Sequence, residues 1–160
     1  NEEIAFLAAK SYYFMSPVFS KDQNNTKTAI DKLQLFINTF PDSEYIADAN
    51  SLIFELDYKL EYKVYSTALQ YNTLNDHEAA IKSFNNFVVE FPGSSLREKV
   101  LYYKFDSAYQ LAINSVNYKM QDRVDDAITY YNSFLKYYNE SEFIEDLKLK
   151  FEELNKLKTT

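Results

Sequence analysis

One sequence phrase occurs three times and constrains the fold more than any other feature of the chain. Its copies begin at Ala29, Ala80 and Ala127, which are 51 and 47 residues apart. In each copy, bulky apolar or aromatic side chains follow at offsets of 4, 7, 8 and 11 residues, which is the spacing of one face of an α-helix. The phenylalanines at offset 7 are Phe36, Phe87 and Phe134. Every copy therefore predicts a short amphipathic helix.

The end of each short helix carries the same local sequence. The aromatic residue at offset 11 is followed by Pro41, Pro92 or Asn139. Proline ends a helix because it lacks a backbone N–H and its ring clashes with the preceding turn. Two positions later stands Ser43, Ser94 or Ser141. A serine there can cap the next helix by accepting a hydrogen bond from a free backbone N–H, so a second helix is predicted directly after each short one.

Longer stretches without glycine or proline supply these second helices. They run from Ser43 to about Thr73, from Ser94 to about Met120 and from Ser141 to about Leu157, with polar breaks at residues 75–77 and 121–122. With residues 3–15 ahead of the first copy, this gives about seven helices that alternate between long and short. The sequence therefore predicts an all-α fold, an α-solenoid of helical hairpins with long first helices.

The repeats occupy the whole chain, which predicts a single domain over residues 1–160. Its repeats cover approximately residues 1–41, 42–92 and 93–139, and a final helix covers 141–158. A chain of 160 residues has the usual size of one domain and can bury roughly 70% of its unfolded surface. Only Ser16–Asn25, which contains Pro17 and a polar cluster, is predicted to be a loop. This loop is either a partner contact or an insertion without a partner.

The composition excludes several kinds of site. The chain has one glycine, Gly93, whereas phosphate-binding loops need at least two in one short segment. It has no cysteine, which excludes disulfides, thiolate nucleophiles and cysteine-ligated zinc. The single histidine, His77, leaves no histidine pair for a metal site. The net charge of −7 makes nucleic acid and anionic membrane surfaces poor partners, because an acidic surface repels phosphates.

The remaining polar residues do not form a catalytic pattern. The carboxylate pairs Asp125–Asp126, Glu145–Asp146 and Glu152–Glu153 are adjacent in sequence, so their members point about 100° apart on a helix. Asp76 and His77 stand at a predicted helix start, where capping explains the aspartate and exposure explains the histidine. We therefore expect no catalytic residue, no metal site and no cofactor, and we interpret the chain as a non-enzymatic protein.

Aromatic and basic side chains supply the candidate protein-binding residues. The longest predicted helix carries the stripe Phe54, Tyr58, Tyr62 and Tyr65, which either packs against adjacent repeats or binds a peptide. Residues 1–80 hold twelve carboxylates against six lysines, whereas residues 81–160 hold twelve against eleven basic side chains. Electrostatic repulsion of a partner is therefore smallest in the second half. The basic candidates there are Arg97, Lys99, Lys104 and Arg123.

Further local sequences extend the repeat phrase into a longer pattern. They are Asp22–Gln23, Phe40–Tyr45, Leu60–Lys63, Phe91–Pro92 and Ala108–Ser115. In this order, and with the lengthened helices, the chain resembles the BamD family, the tetratricopeptide lipoproteins of the bacterial outer-membrane β-barrel assembly machine. The usual tetratricopeptide period is about 34 residues, shorter than the spacing found in this chain. The opening Tyr12–Pro17 is similar to the Bacteroidetes branch of the family.

The resemblance implies a scaffold or adaptor subunit at the periplasmic face of the outer membrane. Its implied partners are a BamA-like barrel-assembly subunit, other subunits of the machine and unfolded outer-membrane protein precursors. The family is attached to the membrane by a lipidated N-terminal cysteine. Because the chain has no cysteine and opens almost directly into a helical pattern, we expect a fragment that lacks the N-terminus, the lipid anchor and the first repeats. Asn139, where proline is usual, departs from the family pattern.

A second interpretation is a different tetratricopeptide adaptor. A periplasmic cell-envelope protein or a co-chaperone module of this fold would bind a peptide in its concave groove. A co-chaperone site for a C-terminal carboxylate needs several converging lysines or arginines, whereas residues 1–80 are acidic. The charge distribution thus favours the barrel-assembly scaffold.

Overall fold

Seven helices make up the part of the chain that this computed structural model describes, residues 1–158. They are α1 (Glu2–Phe14), α2 (Asn24–Thr39), α3 (Ile46–Thr73), α4 (His77–Glu90), α5 (Arg97–Ile113), α6 (Asn117–Tyr137) and α7 (Ile144–Lys158). No β-strand occurs in residues 1–158, and no helix there is long and apolar enough to cross a membrane. The predicted all-α fold of tetratricopeptide-like helical hairpins is confirmed. Thr159 and Thr160, the end of the predicted domain, lie outside the described residues.

The chain divides into two compact units, residues 1–64 and residues 65–160. The first unit contains α1, α2 and the first part of α3. The second contains the rest of α3 and helices α4 to α7. The division falls inside α3 rather than at a repeat boundary, and the predicted single domain with its repeat limits stays a prediction.

Each unit has a core that includes the repeated alanines and phenylalanines. In the first unit, Phe6 stacks on Tyr45 with ring centroids 4.9 Å apart and lies 5.4 Å from Phe36. In the second unit, Phe105 lies 5.9 Å from Tyr131, and Tyr131 stacks on Phe151 at 4.2 Å. All six repeated positions are buried, as predicted: Ala29, Phe36, Ala80, Phe87, Ala127 and Phe134. The alanines let a neighbouring helix approach closely, and the phenylalanine rings fill the remaining space.

The turn between a short helix and the next helix is the same in all three copies. The residues that end the short helices, Phe40, Phe91 and Tyr138, have φ between −125° and −138° and ψ between 55° and 64°. The serine hydroxyls accept hydrogen bonds from the backbone N–H groups of Tyr45 (3.3 Å), Leu96 (3.1 Å) and Phe143 (3.1 Å). The following helix begins three residues after each serine. Each serine hydroxyl therefore caps the turn that leads into the following helix and not the helix itself: the N-cap of α5 is Leu96, which makes no side-chain cap bond. The turn that contains Asn139 has the same geometry as the two that contain proline.

The predicted end of the long helix that was expected from Ser94 to about Met120 was wrong. Helix α5 ends at Ile113 rather than near Met120, and α6 begins at Asn117 rather than after residue 122. The side chain of Asn114 donates to the Gln110 carbonyl (2.9 Å), and the Ser115 hydroxyl donates to the Leu111 carbonyl. Such local bonds compete with the backbone pattern of a helix. As a result α6, with 21 residues, is longer than α5, with 17. The predicted alternation of long and short helices fails for this pair, and also for α1, with 13 residues, and α2, with 16.

Polar contacts join α5 to α7. The Tyr102 hydroxyl donates to Asp146 (2.8 Å), and the Tyr109 hydroxyl donates to Glu153. Burial, together with the hydrogen bond to a carboxylate, raises the pKa of Tyr102 and of Tyr109 to about 12 in each case. The Lys150 ammonium bonds to Asp106 (2.8 Å) and to Asp146 (2.6 Å). The two tyrosines are therefore held in their protonated form by the folded state.

Replacing Phe87 with alanine should lower the free energy of unfolding by about 3–5 kcal/mol, because the fully buried ring leaves a cavity when it is removed. Urea denaturation followed by circular dichroism measures the change. Val89→Ala is the matched control, since Val89 lies on the same helix and is 82% exposed; it should cost less than about 0.5 kcal/mol. Equal effects of the two substitutions would contradict the repeat alignment.

Stability should fall as the pH rises from about 10 to about 12. Unfolded tyrosines lose their protons near pH 10, whereas folded Tyr102 and Tyr109 keep theirs to about 12, so deprotonation stabilises the unfolded state relative to the folded state across this window. In the double variant Tyr102→Phe, Tyr109→Phe, the fall should be smaller. Urea midpoints measured across the window test this, with exposed Tyr118→Phe as the control. An unchanged slope in the double variant would rule out the proposed linkage.

Candidate protein-binding surfaces

Helices α5 and α6 of the second unit place two cation–aromatic pairs side by side. The guanidinium carbon of Arg97 lies 4.7 Å from the ring centroid of Tyr137, and the ammonium of Lys104 lies 4.0 Å from that of Tyr130. Arg97 and Lys104 are seven residues apart on α5, and Tyr130 and Tyr137 are seven apart on α6. Since seven residues are about two helical turns, each set lies along one face of its helix.

Arg123 continues the same row along α6, seven residues before Tyr130. Its guanidinium donates to Glu78 (2.7 Å) and to the Ser115 hydroxyl (2.9 Å), which fixes its orientation. Arg123 and Tyr130 also line a pocket of about 170 Å³ together with Glu78, Ile81, Ala108, Leu111 and Asp126. We call Arg97, Lys104, Arg123, Tyr130 and Tyr137 the basic–aromatic row. Three of the four basic candidates thus share one surface.

The charges of Arg97 and Lys104 are not neutralised within the described chain. Neither residue forms an ion pair with any carboxylate of residues 1–158. Burial lowers the pKa of Lys104, which reflects the cost of holding its ammonium away from water. The tyrosine faces compensate part of this cost through cation–π attraction. Two carboxylates of a partner could therefore pair with these cations, one with each, without displacing an existing ion pair.

The fourth basic candidate, Lys99, lies elsewhere. It is exposed, and two residues along a helix correspond to a rotation of about 200° from Arg97. Lys99 is therefore on another side of α5 and does not belong to the row. The row in turn contains two residues that the sequence reasoning missed, Tyr130 and Tyr137. Their seven-residue spacing, matching that of Arg97 and Lys104, was the available signal.

The aromatic stripe of α3 separates into surface and interior members. In the first unit, Phe54 is 69% exposed and Tyr58 is 39% exposed, while the half-buried Tyr62 packs edge-on against Phe19 with centroids 4.8 Å apart. In the second unit, Tyr65 is only 6% exposed and its ring lies 6.4 Å from that of Tyr103. Phe54 and Tyr58 are therefore the members that a partner can reach, whereas Tyr65 belongs to the interior.

The loop between α1 and α2 is organised by one buried side chain. The Gln23 amide donates to the carbonyls of Val18 (2.9 Å) and Lys21 (2.9 Å), and its oxygen accepts from the Thr26 hydroxyl (2.7 Å). Thr26 in turn bonds to Ser16 (2.6 Å). These bonds satisfy polar groups inside the loop itself. Gln23 thus has a structural explanation, and the role of the loop as a partner contact stays a prediction.

Asp76 and His77, which were considered as catalytic candidates, form contacts within the chain that explain their positions. Asp76 caps α4 by accepting from the Ala79 N–H (3.2 Å), and His77 Nδ1 lies 2.8 Å from the Asn72 amide oxygen. Burial lowers the pKa of His77, although Asp106 and Asp76 act in the opposite direction. Within residues 1–158, no group of three or more histidine, aspartate or glutamate side chains is arranged to hold a metal ion.

Two protein-family models match the chain. The model of the YfiO family, described as outer membrane lipoprotein, matches residues 1–123, and a tetratricopeptide-repeat model matches residues 115–141. A comparison with curated proteins gave no match. The tetratricopeptide match contains the whole of α6, and the YfiO match extends over the larger part of the chain. The chain therefore belongs to the YfiO (BamD) family of outer membrane lipoproteins, as its sequence pattern indicated.

Proposed function

We propose that the chain is a non-enzymatic scaffold subunit of the β-barrel assembly machinery, which supports the folding and insertion of outer-membrane proteins through protein–protein contacts. Family membership supports a role at the outer membrane. In this proposal the chain lies on the periplasmic side of that membrane.

The observation that carries a binding role is the basic–aromatic row. Arginine and tyrosine are the side chains most enriched at the energetic centres of protein interfaces. In the row, Arg97 and Lys104 are already ordered on tyrosine rings, so little side-chain entropy is lost when a partner binds. Both cations also lack a carboxylate partner within residues 1–158. The row is therefore suited to an acidic surface of another protein.

The partner in this proposal is a periplasmic domain of a BamA-like subunit. A row two helical turns long, with cations at a fixed spacing, fits a folded domain that presents carboxylates at defined positions. Other subunits of the machine and unfolded outer-membrane protein precursors are further partners in the same proposal. Complementary charges would increase the association rate and select the orientation of the complex.

Charge reversal in the row tests the proposal. The double variant Arg97→Glu, Lys104→Glu should weaken binding to the periplasmic domains of the cognate BamA-like subunit by at least about tenfold, because attraction becomes repulsion at two positions. Isothermal titration calorimetry measures the affinity. Lys99→Glu is the matched control, because it makes the same charge change on another side of α5 and should leave the affinity within about threefold.

A fold check is needed because Lys104 is partly buried. The single variant Arg97→Glu avoids this difficulty and should still weaken binding, while circular dichroism confirms the helical content of all variants. If Lys99→Glu weakens binding as much as Arg97→Glu, the row is not the interface. If the wild-type chain does not bind the barrel subunit at all, the proposed partner is wrong.

A further inference from the structure

Four side chains form a continuous patch on the part of α3 that belongs to the first unit. Phe54, Asp57, Tyr58 and Glu61 stand at positions i, i+3, i+4 and i+7, which are neighbours on one face of a helix. The two aromatic rings are exposed, and Asp57 forms no ion pair with any residue of 1–158. We call these four residues the aromatic–acidic face.

The repeat provides an internal counterpart for this face. Helices α3 and α5 both begin three residues after the capping serine, so their residues correspond at a constant offset of 51. At this offset the aromatic–acidic face corresponds to Phe105, Ala108, Tyr109 and Ala112 of α5. Both aromatic residues recur, and the two carboxylates stand where α5 has alanines.

The counterpart on α5 is a helix-docking face. All four of its residues are buried in the core that α5 shares with α6 and α7. Phe105 lies against the Tyr131 ring of α6, and the Tyr109 hydroxyl donates to Glu153 of α7. On α5, therefore, this arrangement of two aromatic residues and two small residues receives helices of the same chain. On α3 the equivalent Phe54 and Tyr58 remain exposed.

The exchange of alanine for carboxylate changes which helix can dock. Alanine lets an apolar helix approach closely, whereas an apolar helix packed over this face would bury the carboxylate of Asp57 without an ion pair, at high cost. A helix that brings a lysine or arginine to this position removes that cost. Partial burial and the neighbouring Glu61 raise the pKa of Asp57, which reflects the cost of holding its negative charge at this position.

The lysines closest in sequence do not supply this positive charge. The Lys59 ammonium donates to the Ser16 hydroxyl (2.7 Å), and the Lys63 ammonium donates to the Lys21 carbonyl (2.5 Å). Both side chains thus reach toward the loop between α1 and α2. The positive charge that would complement Asp57 has to come from another molecule.

We propose that the aromatic–acidic face of α3 docks an amphipathic helix of a partner protein that carries lysine or arginine beside its apolar side chains. The partner helix covers Phe54 and Tyr58 as α6 and α7 cover Phe105 and Tyr109, and its cation pairs with Asp57. This interaction is separate from the proposed function, because it uses the first unit and a basic partner. The basic–aromatic row lies in the second unit and suits an acidic partner.

Two synthetic helical peptides test the proposal with the full chain. Both carry leucine or phenylalanine at positions i, i+3, i+4 and i+7, and they differ only in the flanking residues, which are lysine in one and glutamate in the other. Fluorescence anisotropy measures their binding. The lysine peptide should bind at least about tenfold more tightly than the glutamate peptide, and its affinity should fall with added salt.

Substitutions in the chain locate the binding. The variant Asp57→Lys, Glu61→Lys should reverse the preference between the two peptides. Phe54→Ala should weaken the binding of the lysine peptide by about tenfold. Asp48→Lys is the matched control: Asp48 is an exposed acid on α3, nine residues before Asp57 and thus about 180° around the helix. It should change the affinity by less than about threefold. Arg97→Glu should also leave peptide binding intact, which separates this test from that of the proposed function.

Several results would overturn the proposal. They are absence of binding at about millimolar peptide, equal affinity for both peptides, or an Asp48→Lys effect as large as that of the double reversal. Sedimentation provides a further check. A dimer that dissociates on the double reversal would show that a second copy of the chain, rather than a partner protein, occupies the face.

Discussion

The fold depends on the packing of one phenylalanine and one alanine in each repeat. The pairs Ala29–Phe36, Ala80–Phe87 and Ala127–Phe134 each lie two turns apart on a short helix, and all six side chains are buried. A larger residue at the alanine position would push the neighbouring helix away, and a smaller one at the phenylalanine position would leave a void. The exposed residues of both proposed binding surfaces are carried by helices whose packing depends on these buried contacts.

Sequence reasoning predicted what depends on local periodicity. The offsets within the repeat phrase identified the buried face of α2, α4 and α6, and the serines identified the start of the following helices. It failed at the end of α5, because Asn114 and Ser115 end that helix through side-chain bonds to carbonyls, without glycine or proline. Asparagine and serine occur in many helices, so their presence alone did not indicate a break.

The binding surfaces were predictable only in part. Charge counting selected Arg97, Lys104 and Arg123, but the tyrosine rings beneath the first two come from α6 and depend on how α5 and α6 align. Helical spacing likewise grouped Tyr65 with Phe54 and Tyr58, although Tyr65 is buried and only the other two are exposed. Periodicity places residues on one helix face; which part of that face is covered depends on the neighbouring helices. The two surfaces also differ in charge.

The three turns between hairpins have nearly the same backbone angles, although two contain proline and one contains Asn139. The difference between them therefore lies mainly in the unfolded chain. Proline restricts the backbone of the unfolded chain, which typically raises the free energy of unfolding by about 0.4–1 kcal/mol. Asn139 leaves that backbone freedom to be lost on folding. Pro41 and Pro92 thus reduce the entropy lost when their turns form. The turn before α7 has no such advantage, so the packing of this final helix relies more on its buried contacts, such as the stacking of Phe151 on Tyr131 of α6.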